Sequence, residues 1–438
     1  MLRDEFPRTA SGHLCVGGCD AIDLARNFGT PLHVLDGGRL RANLRAYREA
    51  FGRQAPGGQP VFASKALCTV VTCQLAHQEG FWVDVASGGE LYTALRAGVP
   101  PACVVFHGNY KTEEELRLAL RVGVGRVAVD NFHELDLLDR LAREVGTVAE
   151  VWLRVTPGIE PQTHRAIRTG GVDTKFGFGI PDGTALRAVR EVLQRPGLRL
   201  RGFHSHIGSQ ILELEPFRRN AELVAAFAAQ VRSELGYVAE EVNLGGGLGI
   251  RYLSSDRPPS IEAYVGAVAE SLKAACQALA YPTPRLFVEP GRSVVGPAGV
   301  TLYTVGPVKE IPGVRTYVAV DGGMYENPRP ALYGARYEAV LAAQPDEPPQ
   351  QVVALAGRCC ESGDVLIWEA HLPRVRPGDV VAVFSTGAYT YSMASNYNRF
   401  PRPAVVLAEE GQATVMVRRE TYEDLVRLEA APARAAAV

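Results

Sequence analysis

The stretch Pro60-Val-Phe-Ala-Ser-Lys-Ala66 sets an apolar run of strand length directly against a lysine. The runs Phe81–Val85, Ala102–Phe106, Arg126–Val129, Ala149–Val155, Leu198–Phe203, Val238–Leu244 and Arg285–Val288 repeat that grammar. At or just past the ends of these eight runs stand Lys65, Asp84, His107, Asp130, Arg154, His206, the triplet Gly245–Gly247 and Glu289. Helix signals lie between them. Thr112-Glu-Glu-Glu115 has the form of a capping box, and Asn131 opens another helical segment. Strands alternating with amphipathic helices predict βα units and a parallel sheet. Eight such units predict a closed (β/α)8 TIM-like barrel, whose active site is built at the C-terminal ends of its strands. Chemistry-bearing residues recurring at that one position predict an enzyme.

Beyond about residue 290 the texture changes to short Val-rich segments split by Gly and Pro. Val300–Val305, Arg315–Val320, Gln351–Ala356, Asp379–Phe384, Ala404–Leu407 and Thr414–Val417 read as strands without intervening helices, hence a mainly β domain. The expected division is a barrel over residues 30–285 and a β-rich domain over 286–438, with 1–29 joining the latter. An Ala/Arg-rich tail, Ala430–Val438, is expected to fray.

At 438 residues and 47% hydrophobic content the chain has ample core. A net charge of −2 gives no global pull toward nucleic acid, and no apolar run reaches membrane-spanning length, so neither partner is expected. Eight scattered cysteines lack the spacing of a disulfide framework or a metal site. No metal is expected, and the cytoplasm is the expected location. Lysines are few: 65, 111, 175, 273 and 309.

Most lysines are solvated surface charges, but a lysine in a barrel mouth is desolvated and can form a Schiff base. A glycine triplet can be a mere tight turn, yet loops after strands seven and eight are where barrels bind phosphate. Glu289-Pro-Gly-Arg292 can be a surface ion pair, yet its place at strand eight sets a carboxylate and a guanidinium at the same mouth. A Schiff-base lysine, phosphate-binding glycines and a carboxylate for a ring nitrogen together specify pyridoxal 5'-phosphate.

These residues occur within Ala63-Ser-Lys-Ala66, Val83-Asp-Val-Ala-Ser-Gly-Gly-Glu90, Phe106-His-Gly-Asn109 and His204–Gln210. Further on come Arg329-Pro-Ala-Leu-Tyr333, Cys360-Glu-Ser-Gly-Asp364, and Gly387-Ala-Tyr389 running on to Ser395–Asn398. In that combination the chain resembles the alanine-racemase-like (fold type III) pyridoxal-phosphate decarboxylases. Within them it looks like the branch that converts meso-2,6-diaminopimelate to L-lysine and CO2, the last step of lysine synthesis.

The resemblance implies that Lys65 binds the cofactor covalently, His206 stacks on its ring and Glu289 pairs with its ring nitrogen. Ser209, Gly245, Gly246, Gly247, Pro290, Gly291 and Arg292 would surround the phosphate, with Tyr389 reaching the cofactor. Asp84, Glu90 and Arg154 would support Lys65 and the ring from behind. Arg292, Arg329, Tyr333, Glu361 and Tyr389 would bind substrate, and Cys360 would return a proton to Cα. In the family Cys360 and Glu361 enter from a second subunit, which implies a homodimer with shared active sites.

Read without the resemblance, Cys359-Cys360 is a pair of buried thiols, Arg329 and Tyr333 a helix-face pair, and Tyr389 a packing residue. The family's usual asparagine two residues after the lysine is Leu67 here, and His-Gly-Asn-Asn-Lys becomes His107-Gly-Asn-Tyr-Lys111. Competing readings are decarboxylation of ornithine, arginine or carboxynorspermidine, racemisation, or cofactor storage. Glu289 argues against a racemase, whose ring nitrogen typically faces an arginine.

Overall fold

The computed structural model describes residues 2–159 and 174–430. They form two compact units. One comprises Gly38–Ala298 and Gly387–Ser392; the other comprises Met1–Gly37, Gly299–Thr386 and Met393–Val438. Of the expected fraying tail, all but Ala430 lies outside the described residues.

The first unit is the barrel. Its strands are β1 (Gln59–Ala63), β2 (Trp82–Val85), β3 (Val104–Phe106), β4 (Arg126–Val129), β5 (Ala149–Thr156), β6 (Leu198–His204), β7 (Glu241–Asn243) and β8 (Arg285–Val288). Each pairs in parallel with the next, and β8 pairs with β1, so the sheet closes. Alternation along each strand sends every second residue inward. Val61, Trp82, Val105, Trp152 and Phe287 meet inside as an apolar plug. Trp152 and Phe287 pack edge-on at 4.9 Å between ring centres.

Two residues further along the same inward lines come Asp84, His107, Arg154 and Glu289. The chemistry-bearing ends are thus the top layer of the barrel interior, one pleat above the plug.

The surrounding helices are built as their sequences require. In Glu215–Leu235 the buried residues Phe217, Ala221, Val224, Ala228 and Val231 recur at alternating steps of four and three, one stripe of a helix. Gly236 ends it in the left-handed conformation. Thr112 and Glu115 form the expected capping box, and Asn131 caps the helix Phe132–Val145.

The second unit is mainly β. Strand Leu32–Asp36 lies at its centre, antiparallel to Gly299–Ile311 and parallel to Ala404–Glu409. Leu2, Phe6, Leu14, Leu32, Val300, Phe384 and Val406 share its core. The N-terminal residues therefore join the β-rich unit. Val365–Leu372 adds a strand that the sequence reading had not marked, paired with Gln351–Ala356.

Candidate functional site

Lys65 sits in a single helical turn, Ser64–Ala66, immediately after β1. Its Nζ donates to Asp84 Oδ2 at 2.8 Å; the lysine side chain is 44% exposed and the aspartate 1%. Desolvation works to lower the lysine pKa, but the charges of Asp84, Tyr389 and Glu289 outweigh it and hold the ammonium above its ordinary range. Asp84 Oδ1 is buried with no partner among the described residues. The amine is thus poised at the mouth and tethered on one side.

Glu289 follows β8 and is buried. Its Oε1 accepts from His107 Nε2 at 2.7 Å and from Asn243 Nδ2 at 2.7 Å, while Oε2 accepts from His204 Nε2 at 3.1 Å. Burial opposes its ionisation, yet the two histidines hold its carboxyl well below the ordinary range. Burial lowers His204 to about 4, so this imidazole is neutral near pH 7. Ligand atoms of His107, His204 and Glu289 lie within 4.8 Å of one another, but they already hydrogen-bond among themselves.

Two residues past β6, His206 Nδ1 accepts from Gly246 N–H at 3.2 Å, which leaves the ring proton on Nε2. Burial, then the charges of Lys65 and Arg154, depress its pKa well below the usual value and keep it neutral. Arg154 lies over the Phe176 ring at 4.1 Å with Asp130 at 3.8 Å.

The loop after β7 has no room for side chains. A Cβ at Gly246 would stand 2.1 Å from the Glu289 carbonyl oxygen, and one at Gly247 2.6 Å from that of Gly208. Beside it, Arg292 donates to Ser209 Oγ through Nε at 3.1 Å and Nη2 at 2.8 Å, and to Tyr252 Oη at 2.6 Å. The guanidinium lies 4.8 Å from the Tyr389 ring centre. Tyr389 adopts the left-handed conformation (φ 58°), where its N–H bonds the Ala66 carbonyl beside Lys65 at 2.8 Å. Such a backbone costs a non-glycine residue about 1 kcal/mol and persists where its surroundings impose it. Pro290 links the mouth to β1, its carbonyl accepting from Ala63 N–H at 3.1 Å. A Cβ at Gly291 would meet the Ala63 carbonyl at 2.9 Å.

This constellation fits pyridoxal phosphate: an amine at the mouth, a close-approach glycine loop beside a guanidinium and a hydroxyl, a flat neutral imidazole, and an ionised carboxylate one layer below.

The barrel unit therefore brings together Lys65, Asp84, His206, Ser209, Gly245–Gly247, Glu289–Arg292 and Tyr389. Glu90 and Arg154 also lie in the barrel unit, and the remaining expected residues belong to the β-rich unit. Arg329 lies in the helix Arg329–Tyr333, buried and bonded through Nη1 to Tyr337 Oη. Cys360 is exposed, its N–H donating to Asn398 Oδ1 at 2.8 Å, and Glu361 is exposed beside it. Cys359 alone of that pair is buried. The sequence reading marked His107 as a strand end but gave His107, His204 and Asn243 no role as partners of Glu289. Their signal was their position, since His107, His204 and Asn243 stand at or just past the ends of β3, β6 and β7.

The family described as "Pyridoxal-dependent decarboxylase, pyridoxal binding domain" matches residues 38–296. The diaminopimelate decarboxylase of Bacillus subtilis (strain 168) is 50% identical over 418 residues, 95% of each chain. That of Synechocystis is 44% identical over 434 residues, 97% of this chain and 92% of its own. The crystal structure of diaminopimelate decarboxylase from M. jannaschii in complex with L-lysine superposes with a TM-score of 0.91 at 36% identity, covering 99% of both chains.

Proposed function

The chain belongs to the family of pyridoxal-dependent decarboxylases, and on that premise we propose that it decarboxylates meso-2,6-diaminopimelate to L-lysine and CO2. The observation that carries this reading is the likeness to the Bacillus enzyme of that name, 50% identity along 95% of both chains. The lysine-bound state of the M. jannaschii relative is consistent with lysine as product.

Bound pyridoxal phosphate supplies the electron sink for the charge left at Cα when CO2 departs. The chain's own residues do the rest. Lys65 would hold the cofactor and release it to the incoming amine, and Asp84 would steady the lysine ammonium while it is free. Glu289 would accept from the ring nitrogen. His206 would offer its neutral face to the ring. Ser209, Gly245–Gly247, Gly291 and Arg292 would take the phosphate, with Pro290 shaping that turn and Tyr389 beside the Arg292 guanidinium. Diaminopimelate carries a second amino-acid head, so its far end needs both charges matched. Arg292 and Arg329 suit its carboxylate, Glu361 its ammonium, and Tyr333 and Tyr389 its stem. Holding that end would select which bond at Cα breaks. Cys360 would supply the proton to Cα from its Sγ. Following the family, Cys360 and Glu361 serve the site of a second subunit in a homodimer. Eight free thiols suit a reducing cytoplasm.

The test is release of CO2 and lysine from meso-diaminopimelate by the cofactor-loaded protein, with ornithine, arginine and LL-diaminopimelate in parallel. Lysine from the meso isomer alone is the expected result. Turnover of ornithine or arginine with silence on diaminopimelate would overturn the substrate and keep the chemistry.

A further inference from the structure

We propose that His107, His204 and Asn243 are positioning residues that hold Glu289 as a carboxylate with one acceptor place open on Oε2, and so keep the shared proton on the cofactor's ring nitrogen. The proposal rests on the cofactor reading above and adds residues to which it gives no role. It starts from a count of lone pairs. A carboxylate offers about four acceptor places, two on each oxygen. Glu289 Oε1 accepts twice, from His107 and Asn243, and Oε2 accepts once, from His204. Among the described residues one place remains, on Oε2.

The kind of donor matters as much as the number. Asn243 is neutral by nature. His204 Nε2 donates to Glu289, and its Nδ1 is buried with no partner among the described residues. Its one proton therefore sits on Nε2. These two neutral donors stabilise the carboxylate without cancelling its charge, so a cation on the fourth place is still favoured. His107 and His204 also brace each other, their ring centres 4.6 Å apart. Charges that reach Glu289 from other elements act in the same sense: Arg154 on β5 and Lys65 after β1 favour its anion. Half-buried His206 and buried Tyr264 also feel Glu289 but are neutral.

Remove a donor and the carboxylate becomes more basic. The proton shared with the ring nitrogen then moves toward Glu289, and the pair changes from pyridinium–carboxylate to pyridine–carboxylic acid. No atom is gained or lost; one N–H bond is exchanged for one O–H bond. A residue that merely packs would leave that proton where it was.

The experiment reads the proton directly. The full-length protein is loaded with pyridoxal phosphate labelled with 15N in the ring, and the nitrogen resonance is recorded. The expected result is a pyridinium shift in the unaltered protein, displaced toward neutral pyridine in His107→Phe, His204→Phe and Asn243→Ala. His107→Gln, which keeps an N–H donor, should restore the pyridinium shift. Cofactor-bearing Phe and Ala variants with an unmoved resonance would overturn the proposal. So would a neutral ring in the unaltered protein. Should His107→Phe lose the cofactor, retention with a pyridinium shift in His107→Gln supports the donor role, and loss in both overturns it. Failure of the unaltered protein to take up the cofactor at all would instead overturn the reading beneath it.

Discussion

The two ends of the barrel each bury a glutamate that accepts three hydrogen bonds, yet they are prepared for different things. At the N-terminal end, Glu241 on β7 accepts from Arg126 through Nε at 2.7 Å and Nη2 at 2.6 Å, and from Trp152 Nε1 at 2.7 Å. Burial opposes its ionisation, but the bonds and charge of Arg126 outweigh that and hold its carboxyl below the ordinary range. Its charge is met inside the protein. At the C-terminal end, Glu289 has only imidazole and amide donors in hydrogen-bonding contact among the described residues. The same strand serves both: Glu241 and Asn243 are two residues apart, on one face of β7, and turn to opposite ends. An anion paired with an arginine is finished, whereas one held by imidazole and amide donors keeps an acceptor place for a further cation. Conserving a barrel and running a reaction thus call for different partners around the same side chain.

The first way to test that division is Lys65→Ala. It should leave the lower end untouched and lower lysine formation by about 10³-fold or more, measured on protein of confirmed fold. Full activity would remove Lys65 from the chemistry. Next comes Glu289→Gln, with turnover falling about 10²- to 10³-fold because stabilisation of charge in the transition state is lost, while the melting temperature changes little. Its counterpart is Glu241→Gln. There the expected cost is stability, about 3 kcal/mol from a stranded Arg126, read as a shifted urea midpoint, while turnover of the folded protein is unchanged. If Glu241→Gln proved catalytically dead and stable, the two ends would have to exchange descriptions.

How much of this could be read along the chain follows from periodicity. The top layer was legible because period two projects one strand's inward face past its last residue, so Asp84, His107, Arg154 and Glu289 announce themselves as strand ends. Which ends meet was not legible. His107, His204 and Asn243 reach Glu289 only because β3, β6, β7 and β8 are brought together by closure, and spacing carries no trace of that. Lys111 is a related case. The sequence reading gave it no role, but it is buried, paired with Glu134 at 2.6 Å, and donates to the Gly108 and Ala128 carbonyls. In the β-rich unit, Val365–Leu372 escaped notice because register shifts against Gln351–Ala356 break its alternation and Trp368 stands half exposed. Leu32–Asp36 lies far along the chain from the two C-terminal strands that flank it, so its place is a matter of tertiary pairing alone. Tyr389 belongs to the barrel unit although it follows most of the β strands.

The smallest effect concerns pH. His204 has its folded pKa depressed from 6.5 to about 4, and His206 is depressed in the same direction. A group of this kind binds its proton more readily unfolded, so the stability it confers is complete above about pH 6.5 and drains away as pH falls. Carboxylates held low, Glu241 and Glu289 among them, contribute to acid loss only below their ordinary 4.5. Between those limits the histidines act, opposed by carboxyls whose pKa desolvation raises, such as half-buried Glu90 and buried Asp130. The informative quantity is therefore a difference between two proteins. From about pH 6.5 to 4.5 the unaltered protein should lose up to about 1.4 kcal/mol per pH unit more than His204→Phe, measured by urea midpoints at matched ionic strength. Identical slopes would mean that His204 carries a charge in the folded barrel. Glu289 would then sit in an ion pair like that of Glu241, and the distinction between the two ends would fail.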